Sequence, residues 1–404
     1  MDGAEPGSRR VGRTLLLLGA LALLAAVPRF GQRENEGAAF SDSDYYLDMA
    51  AVFAGQAEAF EASWARPGHP GGHHYARPLL PWLAGHLGSA LGGHRRAFSA
   101  LNVLGAWSVA AALYLVLLGA APGVRHPWLP SALFLTGFPQ VDWGYHVLTD
   151  TFGYATAFLA SLLAARLVTG GAKPRTDAGL PLALAGLFAL QAAAFLTRET
   201  GWFTPVVVVA LLVGGAVPRR RRRLAAVVLV VTAFAYLPEA VWLARHDLRP
   251  VAIRFAPGAW LDPGYVADFL VKSAVAFHLV WALALVGALR GGLRRVPPVL
   301  WGWGVAGLLY MAAGYAHNSL DGVGYPLRLT YALFPVVYVL AAGGLEAVVE
   351  RRGRGALASG RRHRLAALLL VALNVGVGVA GTSLDRGRSG VTVPSLLRGD
   401  RGPP

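Results

Sequence analysis

The 404-residue chain contains no cysteine, very little lysine and few acidic residues. Without cysteine, disulfides cannot brace the loops, and neither a thiol nucleophile nor a cysteine-ligated metal is available. Only Lys173 and Lys272 are lysines among 37 basic residues, so almost every basic side chain is arginine. Charged residues make up only 15% of the chain, whereas soluble domains carry about 25%. These absences exclude thiol-dependent and disulfide-braced proteins and argue against a soluble one.

Hydrophobic residues dominate what remains, at 55% of the chain, with a mean hydropathy of +0.48. They occur in long blocks separated by short arginine-rich stretches, which is the pattern of transmembrane helices. We expect an all-α polytopic membrane protein, with residues 1–381 as one integral membrane domain and 382–404 as a short polar tail. About eleven transmembrane helices are predicted, over residues 14–27, 97–118, 128–140, 151–168, 180–196, 202–217, 224–243, 266–289, 296–316, 329–345 and 365–380.

The distribution of arginine predicts the orientation of this domain. If the N-terminus is cytoplasmic and the spans alternate, the basic clusters fall in inner loops, including the five arginines at 219–223. The outer segments are then close to neutral and contain most of the acids. The net charge of +15 is therefore a topology signal, and no nucleic-acid partner is needed to explain it. We expect a multi-pass protein of the cytoplasmic (inner) membrane with its active site on the outer face.

The first outer loop, residues 29–96, contains the densest group of acids. Asp42, Asp44 and Asp48 fall within a short stretch beside Tyr45 and Tyr46. Asp42 and Asp44 are candidates for a general base, or for a pair of ligands to a divalent cation. The alternative is a solvated helix N-terminus, because the same stretch has the composition of a helix cap.

Three arginines are predicted to lie at the outer boundary of the membrane: Arg77, Arg198 and Arg328. A guanidinium group binds phosphate through bidentate contacts, so each is a candidate ligand for a lipid phosphate. The alternative is a topological flank or an ion pair, and the adjacent Glu199 favours that interpretation for Arg198. Arg77 also begins the segment 77–87, whose two prolines predict an interfacial or re-entrant helix.

Histidines and further acids also lie in the outer segments. His69, His73 and His74 belong to a loop rich in glycine and proline, which presents no fixed set of metal ligands and favours a substrate-closing loop. Two other groups either line the same cavity or cap helices; they are Asp142, His146 and Asp150, and His317, Asn318 and Asp321.

Several of these stretches resemble the GT-C superfamily of polyprenyl-phosphate-sugar-dependent membrane glycosyltransferases. The layout is similar over the whole membrane region: a first helix, an acidic outer-loop motif followed by tyrosine, a juxtamembrane segment and a second span. The residues that carry the resemblance lie in four short patches, which are Asp42-Ser43-Asp44-Tyr45-Tyr46-Leu47-Asp48-Met49-Ala50, Tyr75-Ala76-Arg77-Pro78-Leu79-Leu80-Pro81-Trp82-Leu83, Leu196-Thr197-Arg198-Glu199-Thr200, and Tyr325-Pro326-Leu327-Arg328-Leu329 with Phe334-Pro335.

The resemblance implies a mechanism and a set of site residues. One loop carboxylate would deprotonate an acceptor hydroxyl, which attacks the anomeric carbon of a sugar carried on a lipid phosphate. Asp42 is the nearer match for this base and Asp44 the second choice. A divalent cation is possible, and no metal ligand is assigned. The substrate-binding residues would be Tyr45, Tyr46, His74, Tyr75, Arg77, Arg198, Glu199, Tyr325 and Arg328.

The resemblance leads us to expect a transferase that moves a sugar from a polyprenyl-phosphate-linked donor to a lipid, glycan or protein acceptor outside the membrane. The alternative is a polytopic transporter or a flippase for a lipid-linked substrate. Transporters commonly show internal repeats and binding residues near the bilayer midplane, and this sequence has no matching halves. A membrane acyltransferase or surface-polymer polymerase has no motif here to support it.

Overall fold

A computed structural model shows a helical protein. It describes residues 6–30, 41–56, 76–120, 124–137, 139–141, 145, 149–170, 179–248, 263–314, 333–351 and 356–386. Within these ranges the regular structure is α-helix with short 3₁₀ turns, and no strand is present. The predicted all-α fold is confirmed.

Fourteen α-helices are formed by the described residues, in an order that follows the predicted hydrophobic segments. They are α1 (Pro6–Phe30), α2 (Ser41–Phe53), α3 (Leu79–Leu91), α4 (His94–Ala120), α5 (Trp128–Thr136), α6 (Asp150–Thr169), α7 (Gly179–Thr197), α8 (Phe203–Val213), α9 (Arg222–Phe234), α10 (Leu237–Arg245), α11 (Pro263–Leu289), α12 (Pro298–Gly314), α13 (Phe334–Arg351) and α14 (Ala356–Arg386).

Every one of the eleven predicted hydrophobic segments contains a helix, but not all of these helices are long enough to cross a bilayer. Among the described residues, five stretches have sufficient length and hydropathy: Arg9–Val27, His94–Ala120, Asp150–Thr169, Gly179–Thr197 and Arg219–Arg245. Three shorter apolar helices lie at Glu199–Val213, Phe277–Leu289 and Pro298–Tyr310. The number eleven therefore stays a prediction, as does the membrane depth of α3.

The predicted span at 224–243 is divided in the structure. Helix α9 ends at Phe234, and α10 begins at Leu237 with Pro238 in its first turn. Proline lacks a backbone N–H and has a fixed φ, so it favours the start of a helix and disfavours a helix interior. After the break, α10 lies beside the first-loop helices, and its Trp242 packs against Phe53 of α2.

Two apolar clusters hold the helices together. The larger one joins most of the long helices, and within it α11 crosses α13 so closely that Gly287 and Gly344 contact backbone carbonyls of the opposite helix. The smaller one packs α2 and α3 against the start of α4, through Tyr46, Met49 and Phe98. A Cβ on Gly85 of α3 would lie 2.5 Å from the carbonyl oxygen of Ala50 in α2. The two first-loop helices are thus fixed against each other and against the bundle.

Segments assigned to the inner face come together at one site, called here the Arg125 cluster. Its members are Arg125, Arg295, Glu346, Glu350 and His363. The Arg125 backbone N–H donates to Glu346 Oε1 at 2.7 Å, and its guanidinium lies 3.5 Å from Glu350 Oε1. Arg295 Nη1 lies 3.7 Å from Glu346 Oε2. The arginine pattern assigned these charges to one side of the membrane. In the structure they contact one another.

Candidate functional site

Four charged side chains and one tyrosine, from segments assigned to the outer face and from α12, meet in the interior. This group is called the Arg198 cluster. Arg77 precedes α3, Asp150 begins α6, Arg198 and Glu199 lie between α7 and α8, and Tyr310 belongs to α12. The cluster therefore joins the first outer loop to four helices of the bundle.

Ion pairs and hydrogen bonds connect all five members. Arg198 Nη1 lies 2.8 Å from Asp150 Oδ1, and Arg77 Nη2 lies 2.8 Å from Glu199 Oε2. Arg198 Nε is 3.5 Å from Glu199 Oε1, which also accepts a 2.7 Å hydrogen bond from Tyr310. Arg198 Nη2 donates to the Tyr310 hydroxyl at 3.1 Å. Glu199 is thus shared by two arginines and one tyrosine.

Local backbone geometry places Arg198 and Glu199 in this position. Helix α7 ends at Thr197, Arg198 is extended (φ −168°, ψ 158°), and Glu199 begins a 3₁₀ turn that leads into α8. Gly153 of α6 has no side chain in the way of Arg198: a Cβ there would lie 2.8 Å from the Cβ of Arg198. A glycine is therefore required where α6 passes the arginine.

Tyr46 links the cluster to α2, the helix that carries the acidic motif. Arg77 Nη1 donates to the Tyr46 hydroxyl at 3.0 Å, and that hydroxyl lies 3.4 Å from Thr149 Oγ1. Tyr46 and Thr149 are fully buried. The backbone of α2 is thereby held at a fixed distance from Arg77.

The Arg198 cluster is buried and electrically balanced. Two arginines face two carboxylates, and their side chains are between 3% and 12% exposed. Burial disfavours the charged form of Arg77, but the neighbouring Glu199 carboxylate outweighs this and keeps the pKa of the guanidinium above its ordinary value. Removing one member of such a group leaves an uncompensated buried charge, which costs about 3–5 kcal/mol.

The structure brings together four of the residues that the sequence marked as substrate-binding: Tyr46, Arg77, Arg198 and Glu199. Tyr45 is half-buried and packs against the smaller apolar cluster. Asp42 and Asp44 lie in the first turn of α2, and their side chains are outside the described part of the chain. The predicted residues His74, Tyr75, Tyr325 and Arg328 also lie outside the described residues, as do His69, His73, Asp142, His146, His317, Asn318 and Asp321.

Two members of the Arg198 cluster, and the separate residue Glu239, had a weak signal or none in the sequence. Asp150 was one of several outer acids predicted either to line a cavity or to cap a helix; in the structure it lies in the first turn of α6 and forms an ion pair with Arg198. Tyr310 was not predicted at all, because a tyrosine in an apolar segment is common and gives no sign of a partner 111 residues away. Glu239 was also missed, although a carboxylate inside an apolar run is itself a signal of function.

An apolar cavity of about 280 Å³ opens beside Arg77. Its walls come from α2, α3, α7 and α10, and include Phe53, Leu79, Trp82, Leu196 and Trp242. Arg245 and His246 also line it. The lining suits a hydrocarbon chain whose polar end lies near charged side chains.

Among the described residues, no group of three or more His, Asp or Glu side chains lies together in a way that could hold a metal ion. The carboxylates of the Arg198 cluster are already engaged by arginines, so they do not suit a cation. The side chains of Asp42 and Asp44, which the sequence marks as possible ligands, are outside the described part of the chain.

The helical arrangement identifies a fold class. No protein-family model and no curated protein sequence matches the chain. Solved structures do match over nearly the whole chain, and they are GT-C membrane glycosyltransferases. The predicted GT-C fold is confirmed.

Two of these structures illustrate the likeness. One is the oligosaccharyltransferase AglB of Archaeoglobus fulgidus, in complex with an inhibitory peptide and a dolichol-phosphate. The two structures align with a TM-score of 0.62 and 13% sequence identity, and the aligned region covers 94% of this chain and 56% of the AglB chain. The other is ArnT of Cupriavidus metallidurans bound to undecaprenyl phosphate, with a TM-score of 0.52, 17% identity, and coverage of 92% of this chain and 72% of its own. Another AglB structure contains zinc and sulfate.

The chain spans only a little more than half the length of AglB. The likeness therefore concerns the membrane fold of this chain.

Proposed function

We propose that this protein is a membrane glycosyltransferase that moves a sugar from a polyprenyl-phosphate-linked donor to a lipid, glycan or protein acceptor on the outer face of the cytoplasmic membrane. The GT-C fold carries the proposal, because it is shared with AglB and ArnT, whose structures hold a dolichol-phosphate and undecaprenyl phosphate. The fold favours this function over a transporter or flippase. Turnover of hexose-linked and pentose-linked donors distinguishes a hexosyltransferase from a pentosyltransferase.

Asp42 is the proposed general base, and the register of α2 supports it over Asp44. Residues four apart lie on the same face of a helix. Asp42 is four residues before Tyr46, which is fully buried and bonded to Arg77. Asp44 is four residues before Asp48, which is exposed. The α2 face that carries Asp42 is therefore the one that contacts the cluster.

The proposed chemistry is a displacement at the anomeric carbon of the donor sugar. Asp42 takes the proton from an acceptor hydroxyl, the hydroxyl oxygen bonds to the anomeric carbon, and the lipid phosphate leaves with the electron pair of the broken C–O bond. A positioned base contributes about 10²- to 10⁴-fold to such a rate. Alignment of the two substrates by the buried first-loop helices supplies a further part.

Arg77 is the proposed ligand for the leaving phosphate. Its Nη atoms bind Tyr46 and Glu199, whereas its Nε has no hydrogen-bond partner in the described part of the protein. The residues that follow it, Pro78 and Leu79, line the apolar cavity, which suits the isoprenoid chain of the donor. The Nε of Arg198 also has no hydrogen-bond partner there, but its Nη atoms contact Asp150 and Tyr310. No residue adjacent to Arg198 in sequence other than Glu199 joins the network, so its proposed role is to position Glu199.

The proposal is tested by turnover of undecaprenyl-phosphate-linked glucose, mannose and arabinose by the purified protein in lipid nanodiscs, with and without EDTA. Membranes of the expression host supply acceptors, and released undecaprenyl phosphate is measured. Asp42→Asn is expected to abolish release, because the base is lost while the helix is unchanged. The matched control Asp48→Asn, on the exposed face of the same helix, is expected to retain it. Full activity in Asp42→Asn, in Asp44→Asn and in the double variant would contradict the mechanism.

A further inference from the structure

Glu239 is a buried carboxylate that the chemistry proposed above does not use. It lies in the first turn of α10, on the same helix face as Leu243, and only 8% of its surface is exposed. Within the described residues it makes no hydrogen bond and no ion pair. An ionisable group without a partner is unfavourable in an apolar helix, so packing alone does not account for its presence.

The cation whose charge acts on Glu239, Arg77, is already paired with Glu199. The Arg198 cluster is already neutral, because Arg77 and Arg198 are matched by Asp150 and Glu199. Glu239 therefore adds one acid to a balanced group. Arg245, in the last turn of α10, lines the cavity on a different face of that helix.

Helix α10 places Glu239 beside the proposed site. Trp242 packs against Phe53 at the end of α2, with ring centroids 6.0 Å apart. Pro238 and Trp242, which flank Glu239 in sequence, line the same cavity as Pro78 and Leu79. The charges of Glu199 and Arg77 both act on the Glu239 carboxylate. Glu239 thus belongs to the helix that forms one wall of the apolar cavity, and it lies within electrostatic reach of the Arg198 cluster.

We propose that Glu239 binds the sugar of the lipid-linked donor by accepting hydrogen bonds from its hydroxyl groups. This inference rests on the proposed function, because it requires a sugar next to the phosphate at Arg77. A carboxyl group accepts hydrogen bonds in either protonation state, and sugar hydroxyls are the donors that accompany a polyprenyl phosphate. Such hydrogen bonds are strengthened in a site without water.

A binding comparison tests this role separately from catalysis. The affinity of the purified protein is measured for undecaprenyl phosphate and for its glucose, mannose and arabinose conjugates. The wild type is expected to bind one conjugate more tightly than the bare lipid phosphate. Glu239→Ala is expected to weaken that conjugate about tenfold while leaving the bare lipid phosphate unchanged, because a hydrogen bond in a buried site is lost. Glu239→Gln is expected to fall between the two, since its amide oxygen still accepts.

The controls separate a sugar contact from a structural role and from the proposed function itself. Glu350→Gln removes an exposed carboxylate at the other end of the protein and is expected to bind every ligand as the wild type does. Arg77→Ala is expected to weaken the bare lipid and the conjugate together. Equal losses for both ligands in Glu239→Ala, no loss for either, or a wild type that does not prefer any conjugate would each overturn the role of Glu239. The proposed function would still be judged by turnover in Asp42→Asn.

Discussion

The Arg198 cluster and the Arg125 cluster both contain arginine–carboxylate pairs, but pairs in the two clusters differ in exposure. In the former, Arg198 and Asp150 have side chains 5% and 3% exposed and lie 2.8 Å apart. In the latter, Arg125 and Glu350 are 44% and 56% exposed and lie 3.5 Å apart. Exposed pairs contribute about 0–1 kcal/mol, because water and salt compete for both partners. The Arg198–Asp150 pair therefore lies in the protein interior, whereas the Arg125–Glu350 pair is accessible to solvent.

The largest difference is expected when one carboxylate is removed from each cluster. Glu199→Ala leaves Arg77 and Arg198 without their shared acid and is expected to destabilise the protein by about 3–5 kcal/mol. Glu350→Ala is the matched change in the exposed cluster, with an expected cost below about 1 kcal/mol. Thermal unfolding in detergent, followed by tryptophan fluorescence, compares the two. Similar unfolding temperatures would show that burial does not separate the clusters.

A smaller difference is expected from adding a methyl group near each cluster. Gly153→Ala places a Cβ 2.8 Å from the Cβ of Arg198, so α6 or the arginine must move. Overpacking of this kind costs about 1–3 kcal/mol, and a displaced Arg198 should also lower transferase activity. Gly343→Ala is the control, because a Cβ there meets nothing within 4 Å. Unfolding temperature and turnover are measured for both variants, and an unaffected Gly153→Ala variant would contradict the close approach.

The smallest effect is expected from pH, through His126 beside the Arg125 cluster. Burial, together with the neighbouring His363 and Arg125, lowers the pKa of His126 below 6.5. The unfolded chain then binds a proton that the folded protein does not, so stability is lost as the pH falls below 6.5. His126 should therefore contribute a decrease in unfolding temperature between pH 7.5 and about 5.5. His126→Gln should reduce that decrease, whereas the exposed-site variant His86→Gln should leave it unchanged.

Much of the fold was predictable because apolar length and arginine placement are local signals. Each predicted hydrophobic segment contains a helix, and charges assigned to opposite faces form two separate clusters. The break between α9 and α10 was missed because overall hydropathy hid the effect of Pro238. Mean hydropathy reports how apolar a segment is. Pro238 lacks a backbone N–H and so interrupts the helix, but it hardly changes the mean hydropathy of the segment.

The candidate site was predictable as a set of residues but not as a network. Arg77, Arg198 and Glu199 were identified from their position at the ends of apolar segments. Their pairing was not, because Arg77 and Glu199 are 122 positions apart and the obvious partner of Glu199 was its neighbour Arg198. Three assignments all remain predictions: the base, the outer-face orientation, and the substrate-binding role. The predicted base is Asp42 or Asp44, and the predicted substrate-binding residues are Tyr45, Tyr46, His74, Tyr75, Arg77, Arg198, Glu199, Tyr325 and Arg328.

The sequence separation within the Arg198 cluster has a consequence for biosynthesis. Arg77 leaves the ribosome 122 residues before Glu199, and Glu199 leaves it 111 residues before Tyr310. Arg77 therefore reaches its ion-pair partner only after α7 has been synthesised, and the cluster gains Tyr310 only after α12. The packing of α2 and α3 on α4 uses neighbouring segments, whereas the charged cluster is completed when most of the membrane domain has been made.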